Sequence, residues 1–184
     1  MSDQLRYHTS SASNEWYTPP DLIACVVRVL GAIDCDPASN ALPYNVPATV
    51  HYTQADDGLS QPWRGSVFLN PPYGDALPRF LAKLGTERAL GRCTAAITLT
   101  PARTDTRWFQ ALWAADVLCF LRGRVHFLGR SADRAPFPSV LGYWGPEPDR
   151  FAAVFAAIGQ ILYPPHPRLM RACQPDLFAG RGAA

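Results

Sequence analysis

Lysine is almost missing from this chain: Lys83 is the only one, and arginine supplies the other 16 of 17 basic residues. No Cys-x-x-Cys pair occurs. Cys25, Cys35, Cys93, Cys119 and Cys173 are odd in number and scattered, which excludes a zinc ribbon and a disulfide framework and predicts a reducing, cytoplasmic setting. His8, His51, His126 and His166 have no ligand spacing, so no metal is expected. No apolar run reaches the roughly 20 residues of a membrane span, since Arg28 interrupts the stretch from Leu22 to Ile33. Met1–Arg6 lacks the apolar core of a signal peptide. Strong net charge is absent too: +2 neither demands nor excludes a nucleic-acid partner.

What is present describes a globular chain, 48% apolar and 17% charged over 184 residues, enough for one domain with a real core. Residues 1–14 are serine-rich and read as a flexible segment, 15–163 as one domain, and 164–184 as an irregular tail. Helices are predicted at Leu22–Leu30 with Thr18 as N-cap, at Asp75–Leu90, at Thr104–Ala115 with Thr104 as cap, and at Phe151–Ile161. Strands are predicted at Ala32–Ala38, Val50–Thr53, Val67–Leu69, Thr94–Leu99, Val117–Leu121, Arg124–Leu128 and Ser139–Trp144. Alternating strands and helices imply an α/β fold with a mostly parallel sheet and helices on both faces. The closely spaced late strands add an antiparallel end.

The segment with the clearest chemistry is Asn70-Pro71-Pro72-Tyr73, directly after the apolar strand Val67–Leu69. Two prolines cannot continue a ladder, so the backbone must turn outward in a restricted shape. Strand carboxyl ends are where ligands sit in open α/β sheets. The Asn70 amide oxygen and the Pro71 carbonyl could both accept from the N–H groups of an exocyclic amine on adenine or cytosine. Such an amine is a poor nucleophile because its lone pair is delocalised into the ring. Two acceptors favour a pyramidal nitrogen able to attack an electrophilic methyl, while Tyr73 stacks on the base. The plain alternative is a Pro-rich turn in a chain with 18 prolines.

Four further segments accompany this one in order: Glu15-Trp16-Tyr17-Thr18-Pro19, Asp36-Pro37-Ala38, Asp57-Gly58-Leu59 with Trp63, and Thr100-Pro101-Ala102-Arg103-Thr104-Asp105-Thr106-x-Trp108-Phe109. With them the chain resembles the phage N6-adenine DNA methyltransferases over roughly residues 14–145. The resemblance implies a Rossmann-like S-adenosylmethionine-dependent methyltransferase fold, with an adenine in double-stranded DNA as acceptor. It implies an adenine-specific enzyme working in the cytoplasm of a bacterial host and encoded by a phage or prophage. Asn70, Pro71, Pro72 and Tyr73 would form the catalytic loop. Trp16, Tyr17, Thr18 and Pro19 would pack over the methionine end of the cofactor. Asp36 and Ala38 would lie near its amino-acid portion, and Asp57 and Leu59 would meet its adenine.

Several of these residues have an ordinary structural reading as well. Thr18-Pro19 can simply start a helix, Asp36-Pro37 is a favoured turn, one of Asp56 and Asp57 is expected in solvent, and Trp63, Trp108, Trp113 and Trp144 suit a core. One departure from the wider methyltransferase pattern stands out: Asp36–Ala41 contains no glycine, so the cofactor would be held without a glycine-rich turn. The chain also has no room for a separate target-recognition domain. DNA contacts are therefore expected from loops carrying Arg103, Arg107, Arg130 and Arg134, with either a short recognition site or a homodimer. The same loop chemistry would serve a protein glutamine N5-methyltransferase, and the missing glycines would suit a DNA-binding protein without activity.

Overall fold

The computed structural model describes residues 17–40, 45–128 and 135–165. Trp16, Arg130 and Arg134 lie outside the described residues. In chain order the elements are α1 (Pro20–Leu30), β1 (Ile33–Asp36), β2 (Ala48–His51), β3 (Gly65–Leu69), α2 (Leu77–Ala89) and β4 (Cys93–Pro101). A 3-10 helix (Arg107–Ala114), β5 (Val117–Leu121), β6 (Ser139–Trp144), α3 (Pro148–Phe155) and β7 (Gly159–Leu162) complete them. The strands form one sheet in the order β2-β1-β3-β4-β6-β5-β7. The pairs among β2, β1, β3 and β4 are parallel, and those of β6 with β4 and β5, and of β5 with β7, are antiparallel. The α/β class with an antiparallel end is thus the observed one.

Two apolar layers sandwich the sheet. On one face α1 and α3 present Leu22, Val26, Phe151 and Phe155 to Phe68, Ile97 and Leu141. On the other, α2 and the 3-10 helix present Leu77, Phe80, Leu81, Phe109 and Leu112 to Val67, Leu69 and Val140. The central strand β4 is buried along most of its length, as expected for a strand covered on both sides.

Four local expectations are corrected. Thr18 does not cap α1: Pro19 holds that position, no side chain caps the helix, and the Thr18 hydroxyl is engaged by Asn70 instead. Thr104–Ala115 is not an α-helix from Thr104 but the shorter 3-10 turn, which follows a loop where Thr106 bonds the Arg103 carbonyl. Arg124–Leu128 is no strand of the sheet, because its backbone groups bond Tyr17 and Ala135 rather than a neighbouring strand. The helix predicted to Ile161 stops at Phe155, and Gly159–Leu162 instead adds β7 against the edge of β5. Edge pairing of Gln160 and Ile161 outweighs local helix periodicity there.

Candidate active site

In the sheet β1 turns to β2 on one side, and its other neighbour β3 turns to β4 on the opposite side. The strand order therefore reverses between β1 and β3, and the crevice beyond their carboxyl ends is the ligand position of an open α/β sheet. The two strands are aligned by Asp34, whose Oδ2 accepts from the Ser66 N–H at 2.7 Å. Asp36 ends β1, and Asn70 follows the last residue of β3. The fold thus sets Asp36 and Asn70 at the ends of adjacent parallel strands, on either side of that crevice.

Asp36 is 4% exposed. Its Oδ2 accepts from the Ser39 hydroxyl at 2.8 Å and its Oδ1 from the Ala38 N–H at 3.3 Å. Burial outweighs these bonds and pushes its carboxyl up to about 6. The turn after β1 is held against β2 by the Tyr52 N–H to the Asp36 carbonyl and the Ser39 N–H to the Tyr52 carbonyl, both 2.9 Å.

Gly58 lies flush on that turn. A Cβ there would stand 2.0 Å from the Pro37 carbonyl oxygen, so glycine is required by the contact. From the other side the buried Trp63 indole N–H donates to the Gly58 carbonyl at 2.7 Å. This clasp brings Leu59 and Ala38 to the edge of the same apolar cluster. Asp57, at φ 48°, is exposed. Gly58 thus packs the loop after β2 directly against the turn after β1.

The Asn70 amide is held at both ends. Its Nδ2 donates to Thr18 Oγ1 at 3.2 Å, and its Oδ1 accepts from the Tyr73 hydroxyl at 2.9 Å. The Tyr73 ring meets Phe137 edge-on at 5.1 Å and Phe127 at 6.4 Å between centroids. Burial raises the Tyr73 phenol far above its ordinary range, so it stays a donor. Pro71 is buried and Pro72 half-buried, and Gly74 at φ 109° turns the chain from this loop towards α2.

Phe127 and Phe137 were not anticipated as site residues. Phe127 sat in an expected strand, but Phe137 stands between Pro136 and Pro138, an aromatic in a proline turn like Tyr73 itself. Tyr17 reaches the site by an antiparallel bridge to Leu128, and Pro19 leads into α1. Arg103 and Arg107 are exposed on the connection that follows β4. Trp63 is fully buried, whereas Trp108, Trp113 and Trp144 are half-buried against the core.

Among the described residues, no three His, Cys, Asp or Glu side chains gather as metal ligands, and no helix is long and apolar enough to cross a membrane. A concavity of about 330 Å³ lined by Tyr52, Arg64 and Gly65 lies at the opposite end of β3 and includes none of the residues around Asn70. No curated protein matches the chain. A family model for DNA N-6-adenine-methyltransferase (Dam) matches residues 7–139, a span that takes in both strand ends, the Gly58 clasp and the Asn70 loop. The chain therefore belongs to the DNA N-6-adenine-methyltransferase (Dam) family.

Proposed function

We propose that a single methyltransferase domain over residues 15–163 transfers a methyl group from S-adenosylmethionine to the N6 amine of an adenine turned out of double-stranded DNA. The observation that carries this reading is the pairing of Asn70 and Asp36 at the ends of adjacent parallel strands, in a chain of this family. The cofactor, when bound, supplies an electrophilic methyl on a positively charged sulfonium. The residues present suit it: Asp36 offers a buried carboxylate to a cationic group, Ala38 and Leu59 offer apolar surface, and the exposed Asp57 can accept from an amine.

Asn70 Oδ1 and the Pro71 carbonyl accept from the adenine amine and favour the pyramidal nitrogen whose lone pair bonds the methyl carbon. The bound cofactor would supply the methyl and leave as the neutral thioether, and the nitrogen held by Asn70 and Pro71 would release its extra proton to water. Tyr73 occupies the Asn70 oxygen until the base arrives, then turns onto the face of the base beside Phe127 and Phe137. Arg103, Arg107, Arg130 and Arg134 contact the DNA backbone, and these contacts supply sequence-independent affinity.

Replacing Asn70 by alanine tests the assignment. Methyl transfer to DNA should fall by at least about 100-fold, the scale of losing one well-placed polar group in a desolvated site. Retention of DNA in a filter or gel assay should not change. A variant that keeps its rate would remove Asn70 from the reaction.

A further inference from the structure

We propose that Thr18 is a positioning residue that holds the nitrogen end of the Asn70 amide in place while its oxygen receives the target amine. The proposal rests on the reading of Asn70 as the amine acceptor and deepens it. A primary amide has a donor end and an acceptor end of nearly equal size, and only the oxygen can receive an amine N–H. Thr18 Oγ1, accepting from Asn70 Nδ2 at 3.2 Å across 52 residues of sequence, restrains the nitrogen end of the amide.

The Tyr73 hydroxyl marks the consequence. It donates to Oδ1 at 2.9 Å, as the target amine would, and so stands in for that amine in the present arrangement. When a base enters, Tyr73 has to surrender this bond. The Thr18 bond does not, and it continues to hold the amide while the other end changes partner.

Thr18 is itself anchored well enough for this task. It is 2% exposed, and its carbonyl accepts from Asn45 Nδ2 at 2.9 Å. The preceding residue, Tyr17, exchanges two backbone bonds with Leu128, at 2.9 and 3.2 Å. Leu128 adjoins Phe127, whose ring contacts Tyr73. The contacts therefore close a circuit from Thr18 through Asn70, Tyr73, Phe127 and Leu128 back to Tyr17. Pro19, with φ −59° and ψ 141°, fixes the direction in which the chain leaves this circuit for α1.

The test compares Thr18→Val and Thr18→Ala, which lack the hydroxyl, with Thr18→Ser, which keeps it. Both hydroxyl-free proteins should show the turnover number for DNA methylation lowered about 10- to 100-fold, the scale of a misaligned reacting group. Because Thr18 also belongs to the segment expected over the cofactor, the loss of turnover should exceed any loss of affinity for S-adenosylhomocysteine by calorimetry at least about threefold, and Thr18→Ser should recover the rate. A loss of cofactor affinity matching the loss of turnover, an unchanged turnover number, or a serine variant as slow as valine would each overturn the assignment. A readout free of activity separates this from failure of the methyltransferase reading. In protein labelled with ¹⁵N-asparagine, the Asn70 side-chain protons, assigned by their loss in Asn70→Ala, should exchange slowly in the parent and in Thr18→Ser and fast in the other two. Equal exchange in all four-chain comparisons of parent, serine, valine and alanine would contradict the proposal even if the parent methylates nothing.

Discussion

At the end of β1 the Asp36 carboxylate is nearly shut off from water, and its pKa stands at about 6, against 3.8 for a free aspartate. The native protein therefore binds this proton more tightly than the unfolded chain does, and Asp36 costs stability as pH rises from about 4 to beyond 6. A cation bound beside it recovers that cost. Affinity for S-adenosylmethionine should consequently rise roughly tenfold between about pH 5 and pH 7, as the ionised fraction of a group titrating near 6 grows by that factor. Asp36→Asn should flatten this profile, which calorimetric titration across the range would read directly. A profile equally steep in the variant would assign the titration to another group.

Legibility at the residue scale followed chemistry rather than contact. Asn70 could be picked out because an amide after an apolar strand is informative in one dimension, whereas Asp36 came only with the family resemblance, an acid before proline being by itself an ordinary turn. The Thr18–Asn70 bond was not readable, because its partners are 52 residues apart and threonine before proline looks like any helix start. The same holds for Gly58, whose necessity appears only once the Pro37 carbonyl is found against it.

Among the elements, α2 is secured to the start of β4 by an ion group around Glu87. This side chain is fully buried, with Lys83 Nζ at 2.7 Å and Arg92 on its other oxygen, and Lys83 also lies 5.6 Å over the Trp63 ring. Hydrogen bonds from Arg92 first, and from Lys83, hold the Glu87 carboxyl down at about 2, below its usual 4.5. A depressed folded pKa contributes stability that is complete above 4.5 and disappears as pH falls towards 2. Glu87→Gln should lower the unfolding free energy by about 2 kcal/mol at neutral pH, less than for a wholly buried pair because both cations keep some contact with water. Urea denaturation at a series of pH values should show parent and variant converging in acid, and a constant difference would rule the ion group out as the cause.

The elements that were legible are those whose pattern is set locally. The strands on either side of the crevice and the helices α1 and α2 follow apolar runs punctuated by proline and glycine. Two of the errors share one cause, the competition of a distant partner for backbone groups. Val125 and Leu128 bond Ala135 and Tyr17 instead of a strand, and Gly159–Leu162 leaves a helical pattern to cover β5.

For the whole molecule, one sheet and two apolar layers hold Asp36, the Gly58 clasp and Asn70 around a single crevice, and the family match spans all of them. Fold class could be read from alternation of elements, whereas the topological switch point could not, since strand order depends on pairings no local pattern specifies. On the proposed function, the methyl group ends on the exocyclic nitrogen of adenine in DNA. This is tested most directly by supplying methyl-labelled S-adenosylmethionine and DNA free of methylated adenine, then digesting the product to nucleosides. Label should appear in N6-methyldeoxyadenosine, and none there with Asn70→Ala. Label on cytosine, label in protein, or no label at all with the parent protein would contradict that function.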